Sequence, residues 1–280
     1  MLKSLSSNAS YLSQGLSIGN TLYVTQEYYD RNNGLTIVIP AYNEESRIAP
    51  TLKGIVENIK NLKEVLVVFD GNDNTAGVAS GFGPKIRVLE FSEKLGRGGA
   101  IIEGFKVASS EKICFVDADN SIPWYEIARV AEQVSVDRPV AVGSRWARGA
   151  KLLKRESLFK IISGRIWHYL IFLLMGIETK DVQCGVKCFY GPFLKKVLPS
   201  ITTTNRMFDV SLIYNSKKMG ANITEVGIEW SHNENTRMPY LHIIPIMFLY
   251  LIGMRFAHSK LGTSFHNLLQ RLSVGMNRFH

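Results

Sequence analysis

The chain is short of the features that would settle its class at once. It has only three cysteines, Cys114, Cys184 and Cys188, too few for a disulfide framework, and its amino-terminal stretch does not read as a secretory signal. Cys184 and Cys188 alone make a poor zinc site, because a structural site needs four ligands. All three are therefore expected to be reduced packing cysteines in a cytosolic compartment. Long apolar runs are also missing. Residues 166–177 (IWHYLIFLLMGI) give a run of 12, and residues 238–254 an uncharged run of 17 interrupted by His242 and Pro245, whereas a spanning helix needs about 20 apolar residues. Acids are scarce in the second half. Between Arg145 and Arg165 seven basic residues (Arg145, Arg148, Lys151, Lys154, Arg155, Lys160, Arg165) face the single acid Glu156, and no acid follows Glu234. No internal repeat is evident.

What is present points to a globular protein. At 280 residues, with 46% hydrophobic and 20% charged residues, the chain can bury one large core with a smaller appendage and is not disordered. The formal charge of +9 implies an anionic partner: nucleic acid, a phosphorylated substrate or an anionic membrane surface. A merely solvated basic face is the plain alternative. Lys and Arg flank both apolar runs, and Trp or Tyr lies within them, which is the pattern of helices lying in a membrane interface. Peripheral attachment through 157–177 and 238–256, without a span, is the expectation. The alternative is that they are buried core helices.

Residues 1–33 show no sustained period and are expected to be a poorly packed leader. Strand-length apolar runs then recur: LTIVIP (35–40), EVLVVF (64–69), IRVLEF (86–91), KICFV (112–116) and PVAVG (139–143). They are β-branched and nearly continuous, as in a parallel sheet covered on both faces. Helical patterns at 45–60, 97–109 and 123–135 separate several of them, with Pro123 where a first helical turn would begin. The alternation predicts an α/β fold of Rossmann type, with a mostly parallel central sheet flanked by helices. Further on, DVQCGVKCFY (181–190) and NITEVGIEW (222–230) read as strands and 208–219 as a helix. The expected organisation is a catalytic domain over 34–238 and a membrane-interface helical segment over 239–280.

In such sheets ligands sit beyond the carboxyl ends of the strands, and Asp70 and the pair Asp117/Asp119 fall at such ends. Two carboxylates one residue apart at a strand tip share a side by period-two alternation. Hard divalent cations, Mg²⁺ or Mn²⁺, take such oxygens together with substrate phosphates, so Asp117 and Asp119 are candidate metal ligands. Solvated acids at strand ends are common, and the pair alone is a weak signal. PAYNEE (40–45) can shape a turn that packs on a base or ribose, and Asp70 of FDGN (69–72) can accept hydrogen bonds from either. KLGRGGA (94–100) opens a helix with Lys94 and Arg97 beside glycines, an arrangement that suits anions at a helix N-terminus.

IVIPAYNEE, VVFDGN, GRGGAI and FVDADNSIP, in this order and spacing, resemble the family 2 glycosyltransferases of GT-A fold. VGSR (142–145), DVQCGVKCF (181–189), FDVSLIY (208–214) and EVGIEW (225–230) resemble, within that family, the dolichyl-phosphate glucosyltransferases and, after them, the dolichyl-phosphate mannose synthases. The resemblance covers roughly residues 35–240. It implies a nucleotide-diphosphate sugar donor and a polyprenyl or dolichyl phosphate acceptor. By the same resemblance, Pro40, Ala41, Tyr42, Glu44 and Asp70 hold the nucleoside. Asp117, Ala118 and Asp119 contact the donor, the acids through the metal. Arg145 and Arg237 bind phosphate, and Asp181 and Gln183 border the sugar and acceptor. The chain departs from the family pattern at Phe69, where an acid is frequent, and at Asn72, where Ser is frequent. Arg237 stands in place of a frequent Lys, and Ser121 where mannose synthases carry Gln.

A phosphate monoester is already anionic at neutral pH, so such an enzyme needs little general base. It must orient two phosphates and stabilise the leaving diphosphate. In-line attack inverts the anomeric centre. The expected donor is UDP-glucose, with GDP-mannose as the alternative, and the expected setting is the cytosolic face of a membrane. Two rivals remain. A soluble or processive glycosyltransferase is opposed by the absence of a Q-x-x-R-W motif. A basic nucleic-acid-binding module leaves the acid pair unexplained and lacks an aromatic-basic RNA motif.

Overall fold

The computed structural model describes residues 34–153, 158–201, 203–231, 247–253 and 255. The leader 1–33, most of 239–280, and Lys154, Arg155 and Arg237 lie outside the described residues. Along the chain run β1 (Leu35–Ala41), α1 (Ile48–Asn58), β2 (Leu62–Phe69), α2 (Thr75–Ser80), β3 (Ile86–Glu90), α3 (Gly96–Val107), β4 (Lys112–Val116), α4 (Trp124–Glu132), β5 (Val140–Ser144), β6 (Lys151–Leu152), α5 (Leu158–Met175), β7 (Val186–Tyr190), α6 (Gly191–Val197), α7 (Phe208–Lys218), β8 (Ile223–Gly227) and β9 (Glu229–Trp230). A seven-stranded sheet has the order β3-β2-β1-β4-β7-β5-β8, and β6 pairs with β9 in a small second sheet. All neighbours in the large sheet are parallel except β7, which runs against both β4 and β5. The α/β fold with a mostly parallel sheet is as the run pattern predicts.

The continuous apolar runs follow from helices on both faces. Val38, Leu66, Val68, Ile113 and Phe115 point to a core shared with Ile101 and Phe105 of α3 and Phe208, Leu212 and Ile213 of α7. Their chain neighbours Ile37, Ile39, Val65, Val67, Cys114 and Val116 point the other way, into a core with Ile48, Leu52 and Ile55 of α1 and Ile127 and Val130 of α4. Alternation is hidden in the sequence because both sides of the pleat are buried. At Gly104 of α3, a Cβ would lie 2.3 Å from Cγ1 of Val38. Only glycine lets this helix approach β1 so closely.

Several expectations are corrected. Cys114 and Cys188 form a disulfide (S–S 2.00 Å), so two of the three cysteines are not reduced. Antiparallel pairing sets Cys114 opposite Cys188, a register that spacing along the chain cannot reveal. Cys184 is a buried free thiol, pushed up to about 12 by burial and the nearby Asp181. Of DVQCGVKCFY only Val186–Tyr190 is extended, because Asp181–Gln183 make a turn that carries two polar side chains to the sheet edge. NITEVGIEW breaks at Ile228, with β8 joining the large sheet and β9 leaving it for β6. Pro123 precedes α4 in an extended conformation (ψ 148°) as its cap residue and lies outside the first turn.

Of the C-terminal segment, Tyr250 and Leu251 are buried in the same core as Ile171 and Met175 of α5, while Phe248 and Leu249 are exposed. No helix among the described residues is long and apolar enough to cross a membrane.

Candidate active site

The carboxyl ends of β1, β2, β4 and β5 and the amino end of the reversed strand β7 meet along one edge of the sheet. Ala41 ends β1 beside Phe69, the last residue of β2, so the loops that follow lie together. Hydrogen bonds stitch them. Asn43, at φ +55°, accepts the Asn72 N–H (2.9 Å), and the Glu44 N–H donates to Thr75 Oγ1 (2.9 Å). Pro40 is half-buried and Ala41 buried within β1. Tyr42 stands exposed, with Lys94 Nζ 4.1 Å above its ring.

Asp70 is buried. Its Oδ2 accepts the N–H groups of Leu95 (2.7 Å) and Gly96 (2.9 Å). The anion held at the N-terminus of α3 is thus a carboxylate of the protein itself, satisfying two backbone donors left open by the helix start.

The acid pair lies just past the end of β4. Strand alternation does not orient it; a turn does, with Asn120 at φ +56° and Asp119 Oδ1 accepting the Ser121 N–H (3.1 Å). Between the acids, Ala118 is buried and its carbonyl accepts from Thr51 Oγ1 (2.8 Å). Asp117 is bonded through one oxygen and closely faces a glycine with the other. Its Oδ1 accepts from Arg97 Nε (2.9 Å), and its Oδ2 lies over Gly185, where a Cβ would come within 2.3 Å of it. The Asp117 N–H also donates to the Gly185 carbonyl (3.1 Å).

Arg97 is divided between two acids, because its Nη1 donates to Asp209 Oδ2 (2.6 Å). Asp209 in turn accepts on Oδ1 from Lys187 (2.6 Å), a lysine fully buried in β7.

These surroundings set the protonation equilibria. Burial pushes the Asp117 carboxyl up; Arg97 opposes this, and Asp119 and Asp209 add to it. Burial likewise pushes Glu44 up against the pull of Arg47, with further upward contributions from Asp119 and Asp117. Glu44 Oε2 is buried with no hydrogen-bond partner among the described residues. Burial would also raise Asp209, but Arg97 and Lys187 outweigh it and hold the carboxyl below its ordinary range.

On the other side of the edge Arg145, which follows β5, closes on Asp181. Its Nε (2.7 Å), Nη2 (2.9 Å) and backbone N–H (2.9 Å) all donate to that carboxylate. Burial would raise Asp181, but Arg145 dominates and holds it below the usual range. Arg145 also lies over the Trp230 ring at 5.2 Å. Gln183 is half-buried, with its amide 3.4 Å from the Arg206 carbonyl.

Arg165 of α5 stacks on Trp146 at 4.6 Å, tying the apolar helix to the loop that carries Arg145. One side of α5 packs on the core through Trp167, Leu170, Ile171, Leu174 and Met175. Ile162, Ile166, Tyr169 and Leu173, spaced to share a face, are exposed, Leu173 by 76%.

The structure therefore places Pro40 to Glu44, Asp70, Lys94, Arg97 and Asp117 to Asp119, the residues expected to meet the donor, along one stretch of the edge. It places Arg145, Asp181 and Gln183 along the next. The sequence reading missed Gly185, Lys187 and Asp209. A lysine inside the apolar run VKCFY was the available signal, since a buried charge demands a partner.

Comparison with known proteins agrees with this geometry. The family model for glycosyl transferase family 2 matches residues 36–198. A dolichyl-phosphate beta-glucosyltransferase of Drosophila melanogaster is 30% identical over 224 residues, which cover 73% of this chain and 69% of that protein. The human protein of the same name is 26% identical over 224 residues, with the same coverage. Among solved structures, a glucosyl-3-phosphoglycerate synthase of Mycobacterium tuberculosis, in complex with Mn²⁺, UDP and glucosyl-3-phosphoglycerate, superposes with a TM-score of 0.61 over 87% of this chain and 86% of that one. It is 16% identical and speaks to the fold alone. With the family model matching more than half of the chain and a relative 30% identical over most of both proteins, the chain belongs to glycosyl transferase family 2.

Proposed function

We propose that this glycosyltransferase moves a glucosyl group from UDP-glucose to dolichyl phosphate, with inversion at the anomeric carbon, at the cytosolic face of a membrane. The observation that carries the reading is the adjacency of two halves. The edge with Asp117 and Asp119 continues directly into the Arg145–Asp181 pair, and Arg165 couples that pair's loop to a helix with an exposed apolar face. A donor with two phosphates suits the first half. An acceptor with a phosphate head and an isoprenoid tail suits the second. The names of the relatives from Drosophila melanogaster and human point the same way.

The residues present fit a divalent cation, Mg²⁺ or Mn²⁺. Among the described residues no group of three His, Cys, Asp or Glu side chains is placed to hold one. Two carboxylates completed by donor phosphates are a usual arrangement for these ions. Burial is the main cause that raises the Glu44 and Asp117 carboxyls, the neighbouring acids add to it, and a cation placed by the unpartnered Glu44 Oε2 and this acid pair would offset that second part. Asp117 and Asp119 would hold it, and when bound it would supply charge stabilisation to the leaving diphosphate.

The chain's own groups do the rest. Tyr42 and Lys94 border the nucleoside, Asp70 keeps the start of α3 in place beside it, and Arg145 with Asp181 and Gln183 orients the acceptor. An acceptor phosphate oxygen attacks the anomeric carbon. The new C–O bond forms as the bond to the diphosphate breaks, and UDP departs with the electron pair. The exposed face of α5 rests at headgroup depth, attaching the protein peripherally.

The decisive assay offers radiolabelled UDP-glucose, GDP-mannose and UDP-N-acetylglucosamine with a polyprenyl phosphate and Mg²⁺ or Mn²⁺. Label is expected in the organic phase from UDP-glucose, only with both lipid phosphate and cation. Labelled water-soluble glycan or protein in the absence of lipid overturns the acceptor, and preference for GDP-mannose overturns the sugar.

A further inference from the structure

We infer that Asp209 and Lys187, remote from the substrate edge, are positioning residues that set the metal-binding strength of Asp117 through Arg97. The inference rests on the reading of Asp117 and Asp119 as the carboxylates that hold the donor's cation. Four charges alternate in a row from the sheet interior to its edge: Lys187 Nζ to Asp209 Oδ1 (2.6 Å), Asp209 Oδ2 to Arg97 Nη1 (2.6 Å), and Arg97 Nε to Asp117 Oδ1 (2.9 Å). The inner two are closed off from solvent, Lys187 at 0% and Asp209 at 4% side-chain exposure, while Asp117 at the outer end is 34% exposed. The row is neutral as a whole, so no isolated charge is buried.

Its effect on Asp117 follows from who shares whom. An arginine that turns side-chain and backbone donors together on one carboxylate, as Arg145 does on Asp181, leaves that carboxylate little charge to offer a cation. Arg97 is instead pulled inward by Asp209, which leaves Asp117 with only a one-point hydrogen bond from Nε. The Asp117 N–H donates to the Gly185 carbonyl (3.1 Å), and Oδ2 faces this glycine, where no side chain crowds it. The carboxylate is therefore held in direction while keeping negative charge to offer. Lys187 balances Asp209 from behind and donates a second bond to the Cys184 carbonyl (2.8 Å), fixing the entrance to β7 next to Gly185. Groups that hold a ligand without touching the metal commonly govern its affinity 10- to 100-fold, roughly.

Loss of the Asp209 charge leaves two cations facing Asp117. Loss of both inner charges restores neutrality, and the amide oxygen that Asp209→Asn leaves in place can still accept from Arg97 Nη1 and keep that arginine drawn inward. In Asp209→Asn, Mn²⁺ affinity in the presence of UDP, read from the electron paramagnetic resonance of free Mn²⁺, is expected to fall about tenfold or more. UDP affinity measured in EDTA is expected to stay unchanged. In Lys187→Met/Asp209→Asn, affinity is expected to return to within about threefold of wild type, although more of the interior has been altered. A merely structural defect in the single variant would lower UDP affinity in EDTA together with Mn²⁺ affinity, whereas here only the Mn²⁺ affinity is expected to move.

Wild-type Mn²⁺ affinity in Asp209→Asn overturns the inference, as does a double variant no tighter than the single one. If Asp209→Asn does not fold, the double variant decides alone: recovery supports the inference and a tenfold loss overturns it. Asp117→Asn distinguishes the two levels of argument. If it binds Mn²⁺ as wild type does, or wild type binds none, the metal reading itself is overturned.

Discussion

Two arginine–carboxylate pairs sit on the same sheet edge and come to opposite ends. Asp181 receives three donors from Arg145 and is held below its ordinary range. Asp117 receives one bond from an arginine it shares with Asp209 and is pushed above its range by burial, with Asp119 adding to the rise. The pair on the β5 side is joined by three hydrogen bonds. The pair on the β4 side has one, with a second carboxylate nearby, and on the proposed reading a cation would be held there. Similar residues thus make a strut in one half and a socket in the other, and the sharing of one guanidinium separates them.

The largest effect expected is on the socket. Asp119→Ala should reduce transfer by about 10³-fold or more, since charge stabilisation of the leaving group is lost. Its thermal midpoint should match wild type, and Mn²⁺ with UDP should raise the wild-type midpoint but not that of the variant. Turnover in EDTA equal to that in Mn²⁺ would break the distinction between the halves.

Next comes the strut. Asp181→Asn removes one partner of a buried pair and should cost about 3 kcal/mol in urea unfolding. The sign with pH is fixed by the depressed carboxyl. Its stabilisation is whole above the unfolded value near about pH 4 and is lost as pH falls through the lower folded value. The gap between Asp181→Asn and wild type should therefore be constant from neutrality down to about pH 4 and close below it.

Gly185→Ala thrusts a methyl group at Asp117 Oδ2 and should lower kcat about 10²-fold through misplacement, with the β5-side pair untouched. Smaller still, Ile166→Asp with Leu173→Asp on the exposed face of α5 should cut vesicle flotation about tenfold, from the apolar burial lost, and leave turnover on short water-soluble polyprenyl phosphates intact. Flotation that resists both this change and high salt would argue against peripheral attachment.

The finest test is one of sign. The Asp117 carboxyl is raised on folding, so its ionisation opposes stability at neutral pH and the opposition fades as pH falls through the folded value. Metal-free Asp117→Asn should melt no lower than wild type at pH 7, whereas Asp181→Asn melts well below it.

How far this edge can be read from sequence depends on whether a contact is local. The runs 35–40, 64–69 and 112–116 give β1, β2 and β4 because hydrophobicity and β-branching are properties of the segment itself. The DAD triplet and PAYNEE stand out because chemistry is concentrated within a few residues. The reversal of β7 does not, since nothing in VKCFY encodes a direction, and with it go the Cys114–Cys188 bond and the placing of Lys187 opposite Phe115. The role of Asp70 at the start of α3 is likewise hidden, because that carboxylate reaches backbone a whole strand and helix away in the chain. Arg145 and Asp181 were each marked as site residues by the family resemblance alone; that they bond to one another is a fact of packing.

Because β7 runs counter to its neighbours, the chain leaves the sheet at Arg145 and re-enters at Gly185 on the same rim. Everything between, the basic loop, α5 and the turn with Asp181 and Gln183, is one excursion whose two ends are moored side by side. Apart from the short β6, which pairs with β9, lengthening or rewriting such an excursion costs little in chain entropy and asks no strand of the large sheet to change register. The fold can therefore exchange what it accepts while keeping what it spends, and a graft of this excursion between relatives is the most economical route to a new acceptor on an unchanged donor floor.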